Sequence, residues 1–205
     1  MRFVNFLAHL FLSGDAEGLR LGAMLGDFVR GHPEHPEVPV VARKGILLHR
    51  YIDQYMDSLP ALAQLRARFD PTFRRYSGII IDMAFDHELA VRWDKYSTVT
   101  LEQFDLDLRS LLGRYDAVLP EKLKMFMRYA DRHGLLAAYR DEAEILVSLR
   151  GVGKRLTRPN PLHRVEEIWG QIKPVLSESF TLVFPRVQEG VAAWLQEPRA
   201  AASAG

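Results

Sequence analysis

The chain has 205 residues, with 27 Lys and Arg against 26 Asp and Glu, a formal charge of +1, and no cysteine. At 48% hydrophobic and 26% charged residues it falls in the soluble globular range, and its length suits one domain or at most two small ones. This composition excludes disorder, collagen and disulfide scaffolds. The lack of thiols also removes Cys nucleophiles, iron–sulfur clusters and thiolate zinc sites, so any metal must be held by His, Asp and Glu.

The balanced charge speaks against bulk nucleic-acid binding. The apolar N-terminal stretch imitates a signal sequence, yet Asn5 and His9 interrupt it and no clear small-residue cleavage site follows. No apolar run reaches membrane-span length. A cytoplasmic protein with no membrane partner is the expectation.

In chain order, apolar residues recur at helical spacing. Gly- or Pro-containing breaks fall near residues 13–18, 31–39, 58–60, 70–71, 76–78, 119–120, 133–134, 150–161 and 184–185. This pattern predicts nine or ten helices and an all-α, single-domain bundle over residues 1–197. Residues 198–205 read as a disordered tail. Asp15 and Ser58 are candidate helix caps, Pro71 and Pro120 suit first-turn positions, and Thr100 with Gln103 fits a capping box. The run Ile79-Ile80-Ile81 is β-branched, but Ile79, Met83, Asp86 and Ala90 continue one face, which predicts helix. Gly151-Val152-Gly153-Lys154 resembles half a phosphate loop but lacks the preceding strand and the following Ser or Thr, and it reads as a turn.

The informative feature is a set of ionisable side chains within apolar helical stretches, where a lone charge costs several kcal/mol (about 2–7 for a polar group) unless paired or metal-bound. Asn5 and His9 stand four apart on one face, as do His49 and Asp53, and Asp82 and Asp86, with His87 next in sequence. Asp27 sits among small residues in Gly22-Ala23-Met24-Leu25-Gly26-Asp27. Together these supply the imidazole and carboxylate mixture of a mononuclear or dinuclear Mn²⁺, Fe²⁺ or Mg²⁺ site between helices. Each residue also has a simpler role: His9 as a core hydrogen bonder, Asp53 as the group that orients His49, Asp82 as a cap.

Residues 150–164 carry Arg150, Lys154, Arg155, Arg158 and Arg164 with no Asp or Glu, a local +5 against about −4 elsewhere. Smaller basic groups are Arg66, Arg68, Arg74 and Arg75, and Lys122, Lys124 and Arg128. Such runs are either a solvated surface or a steering field for an acidic partner or phosphate.

Four motifs in order, Asn5-Phe6-Leu7-Ala8-His9-Leu10, Gly26-Asp27-Phe28-Val29-Arg30-Gly31, Gly45-Ile46-Leu47-Leu48-His49-Arg50-Tyr51-Ile52-Asp53 and Ile81-Asp82-Met83-Ala84-Phe85-Asp86-His87, resemble the acyl carrier protein phosphodiesterase family. That family is similar to the HD-type metal-dependent phosphohydrolases, all-helical enzymes whose His…His-Asp…Asp ligand set appears here in rearranged order. The resemblance implies hydrolysis of the phosphodiester that joins 4′-phosphopantetheine to a serine of holo acyl carrier protein, with Mn²⁺ as the favoured metal and no organic cofactor. It implies that Asp27 is essential and that His49, Asp53, Asp86 and His87 are further members of a metal site, with His9 beside them.

On this reading Asp27 and Asp86 anchor the metal, His49 and His87 complete its shell or move a proton, and Arg50 or Arg30 neutralises phosphate charge. The basic segment from Arg150 to Arg164 docks the acidic carrier protein. Two alternatives stand beside it: an HD-type phosphohydrolase acting on a nucleotide or other small phosphate, and a non-catalytic helical module that binds an acidic protein.

Overall fold

The computed structural model describes residues 6–133 and 136–197. Asn5 and the expected tail at 198–205 lie outside the described residues. The described residues form α1 (Phe6–Leu12), α2 (Glu17–Leu25), α3 (Arg43–Ser58), α4 (Pro60–Ala67), α5 (Pro71–Arg74), α6 (Ser77–Val91), α7 (Leu101–Arg114), α8 (Glu121–His133), α9 (Glu142–Arg155) and α10 (Glu166–Gln196), linked by short 3₁₀ turns and, among the described residues, no strand. The all-α expectation holds, including helix rather than strand for residues 79–81. No helix among the described residues is long and apolar enough to cross a membrane.

One contiguous apolar core runs through these helices. Its axis is α10, whose buried stripe includes Trp169, Ile172, Leu176, Phe180, Val183, Phe184 and Val187. Pro174 and Pro185 both lie inside this helix, so the break expected at 184–185 does not occur. Each proline removes one backbone donor. Burial of a stripe that continues past both positions holds the helix together, and an aromatic stack of Phe180 on Phe184 (4.8 Å, 22°) lies immediately before Pro185.

A second correction concerns residues 151–154, which continue α9 instead of turning. At Gly153 the missing side chain admits the returning loop, since a Cβ there would stand 2.8 Å from Asn160 Oδ1. Asn160 Nδ2 in turn donates to the Gly153 carbonyl at 2.9 Å.

The caps divide similarly. Thr100 accepts from the Gln103 amide at 3.1 Å, as expected, although Gln103 turns its own side chain to Asp107. Asp15 instead pairs with Arg20 at 2.6 Å, and Ser58 Oγ donates to the Tyr55 carbonyl, so neither caps a helix. Asp70, just before Pro71, caps α5 by accepting from the Thr72 amide at 2.8 Å.

The closest helix pair is α2 against α3, and glycines make it possible. A Cβ at Gly22 would stand 2.3 Å from the Ala42 carbonyl oxygen and 2.4 Å from Gly45 Cα, and one at Gly18 would stand 2.3 Å from the Val41 carbonyl oxygen. The obstruction in each case is backbone, which cannot swing aside. Gly22→Ala should therefore cost about 1–3 kcal/mol by overpacking. Gly113→Ala, where nothing lies within 4 Å of the added Cβ, should be neutral or stabilising; urea unfolding of the two variants checks the contrast.

Candidate metal and hydrolytic site

The α2–α3 seam leads directly to His49. A Cβ at Gly26 would collide with the His49 ring, 2.2 Å from Cγ, so the glycine before Asp27 leaves the room the imidazole occupies. His49 Nδ1 lies 3.0 Å from the Ala23 carbonyl oxygen. A carbonyl only accepts, so Nδ1 carries the hydrogen. Burial, and then the charge of His9, push His49 down to about 3, which keeps the ring neutral. Its Nε2 therefore presents a lone pair.

That lone pair faces carboxylates. His49 Nε2 is 3.7 Å from Asp27 Oδ1 and 3.7 Å from Asp53 Oδ2. His9, from α1, stacks on His49 with ring centroids 3.9 Å apart and 17° between planes. His9 Nε2 is 3.2 Å from Asp53 Oδ1, an ion-pair contact without hydrogen-bond alignment, so both buried ring nitrogens lack a hydrogen-bond partner. Burial pulls the His9 pKa down, yet the carboxylates of Asp53, Asp27 and Asp86 outweigh it and raise the pKa above its ordinary value.

Among the described residues, the metal-ligand group that converges is His9, His49 and Asp53, each offering one atom within 4.8 Å of the others. Asp27 borders it. The fit to a cation is chemical: the His49 Nε2 lone pair faces carboxylate oxygens, the His9 ring beside it makes no hydrogen bond, and His49 has the backbone-anchored second nitrogen common to metal-bound histidines.

Asp86 and His87, expected as ligands, have other partners. Asp86 is fully buried, and its Oδ2 and Oδ1 accept from the Leu7 and Ala8 amides at 3.0 and 2.8 Å. It thus satisfies the first-turn donors of α1, the helix that carries His9. Burial pushes Asp86 up to about 8 against the pull of those two amides.

His87 points elsewhere because adjacent helical residues lie about 100° apart around the axis. Its Nδ1 meets the Tyr139 carbonyl at 2.8 Å, and burial lowers its pKa. In the 3₁₀ turn Ala137–Arg140 that it holds, Tyr139 is a site residue missed in the sequence. Burial raises the Tyr139 pKa well above 10, and the charges of Asp86 and Asp27 add to the effect.

Arg50 donates from Nη2 to the Val29 carbonyl at 3.3 Å, two residues from Asp27, and Arg30 is exposed. Asp82 is half-buried on α6 and adds to the upward push on Asp86. In the basic segment, Arg150 pairs with Glu166, and Arg164 grips Glu167 with two bonds of 2.8 and 2.7 Å. The local +5 is therefore partly neutralised by two glutamates that lie just past its end. Lys154, Arg155 and Arg158 are exposed.

The role of Asp86 as an anchor for α1 has a measurable consequence. Asp86→Ala should destabilise the fold by about 2–5 kcal/mol, since it leaves two buried amides without an acceptor. Chemical denaturation checks this; an unchanged midpoint would remove the anchoring role.

The matching family model is described as acyl carrier protein phosphodiesterase and covers residues 4–187. The chain is 37% identical over 161 residues to an acyl carrier protein phosphodiesterase of Photorhabdus laumondii, covering 78% of this chain and 80% of that protein. It is 33% identical over 193 residues to one of Escherichia coli, covering 91% and 96%, and 33% identical over 153 residues to one of Yersinia pestis, covering 74% and 79%. No solved structure matches it significantly. With the family model spanning most of the sequence and relatives of 33% to 37% identity covering 74% to 91% of it, the chain belongs to the acyl carrier protein phosphodiesterase family.

Proposed function

We propose that this chain hydrolyses the phosphodiester of holo acyl carrier protein, giving apo carrier protein and 4′-phosphopantetheine, as a cytoplasmic phosphoric diester hydrolase with an HD-like helical architecture. The observation that carries the proposal is the neutral His49, whose Nε2 lone pair faces Asp27 and Asp53 at 3.7 Å beside His9, neither of whose ring nitrogens is hydrogen-bonded. His9, His49 and Asp53 would hold a divalent cation, with Asp27 at its edge. The oxygen and imidazole donors suit Mn²⁺, with Fe²⁺ or Mg²⁺ as alternatives. When bound, such a cation supplies Lewis acidity to a phosphoryl oxygen and lowers the pKa of a bound water.

The other groups act on the substrate. Asp27 orients the attacking water and takes up its proton. The water oxygen bonds to phosphorus, the bond from phosphorus to the carrier-protein serine oxygen breaks, and that oxygen takes a proton from solvent while Asp27 releases its own to solvent. Arg50, tethered at Val29, neutralises phosphate charge. Tyr139 keeps its proton throughout the neutral range and is a hydrogen-bond donor on the wall of the site. Asp86 and His87 act as positioning residues, the first for His9 and the second for Tyr139. Exposed Lys154, Arg155 and Arg158 favour an acidic protein partner.

Incubation of holo acyl carrier protein with the enzyme and Mn²⁺, followed by intact mass, should show loss of the phosphopantetheine mass, and a chelator should stop it. Asp27→Ala should lower the rate by at least about a hundredfold with its unfolding midpoint nearly unchanged. An active Asp27→Ala enzyme, or a holo protein untouched with every divalent metal tried, would contradict the proposal.

A further inference from the structure

A cleft of about 370 Å³ opens beside the site, bounded by α1, α6, α8, α9 and the turn that carries Tyr139. Its walls include Phe6, Phe126, Tyr139 and Val147, and Lys154 and Arg155 stand at its cationic rim. Two links join it to the hydrolytic centre. Tyr139 lines the cleft while its phenol feels the charges of Asp86 and Asp27. Phe6 stacks on Phe28, the residue after Asp27, with ring centroids 6.4 Å apart and 14° between planes. Along α9, Val147 to Arg155 spans about 12 Å at the helical rise, so the cleft is elongated, apolar at one end and cationic at the other.

Gly151 lies midway along this wall and lines the cleft. A glycine inside a helix lowers its stability relative to alanine, and packing gives no reason for it here, because an added Cβ would meet nothing within 4 Å. The glycines of the α2–α3 seam and Gly153 are forced by nearby atoms, whereas Gly113 and Gly170 stand in open surroundings like Gly151, which differs from them in lining the cleft. What Gly151 preserves is the open space of the cleft itself. The ligand chemistry that fits is a slender, uncharged chain bearing amide and hydroxyl groups, which leads away from the phosphate at the hydrolytic centre, past Tyr139 and along a lining that includes Ser148 as well as Val147 and Phe126.

Building on the functional reading above, we propose that this cleft binds the phosphopantetheine arm of the substrate and that Gly151 keeps it open. Calorimetric titration with 4′-phosphopantetheine tests it, because the readout needs no turnover and so fails separately from the hydrolysis assay on holo carrier protein. The wild-type enzyme should bind saturably, and Gly151→Phe should bind at least tenfold more weakly. Gly151→Phe should melt no lower than wild type, since the new side chain enters open space. Inorganic phosphate, which lacks the arm, should bind both proteins alike. Absence of saturable binding to the wild type, equal affinity for phosphopantetheine in the two proteins, or an equal loss with inorganic phosphate would overturn the assignment.

Discussion

The hydrogen bond from His49 Nδ1 to the Ala23 carbonyl, 3.0 Å long, is the constraint on which the rest of the site depends. It fixes which ring nitrogen carries the hydrogen, and burial keeps the ring from taking a second one. With Nδ1 committed, Nε2 can only accept. It then faces two carboxylates that can also only accept, an arrangement that a cation relieves and that a hydrogen-bonded core would avoid. Reversing this one tautomer would turn the group into ordinary histidine–aspartate hydrogen bonds.

That hydrogen bond exists because α2 and α3 approach more closely than side chains normally permit. Gly18, Gly22 and Gly45 bring the two backbones together, and Gly26 clears the ring of His49. The same logic extends outward from α6. Asp86 reaches across to the first turn of α1 and so sets the height of His9, while His87, on a different side of the helix, holds the turn that presents Tyr139. Each of these adjacent residues supports a different wall of one site, although neither belongs to the convergent ligand group.

Much of this was legible in the sequence because it is local. His49 and Asp53 share a helical face by spacing alone, and His9 stands out because everything around it is apolar. The all-helical class followed from periodicity. What stayed hidden depends on distant partners. Asp86 looks like a ligand, and only the fold reveals that each of its oxygens also accepts from an amide, 78 and 79 residues away. Tyr139 carries no signal of its own in the sequence, and only the fold brings its phenol under the charges of Asp86 and Asp27. Pro185 predicts a break, and only the burial of both flanks of α10 overrides it. The basic segment looked isolated because Glu166 and Glu167, which neutralise part of it, fall just outside its bounds.

The proposed cation site joins His49 Nε2 to the carboxylates around it, in a geometry set by the Ala23 backbone carbonyl. A crystal structure of the enzyme grown with Mn²⁺ and phased to show anomalous scattering tests it most directly. One strong peak is expected at coordination distance from His49 Nε2, with His9 and Asp53 among its neighbours and the Ala23 carbonyl still bonded to Nδ1. A site that stays without a peak at saturating Mn²⁺, or an ion held instead by Asp86 and His87, would contradict it.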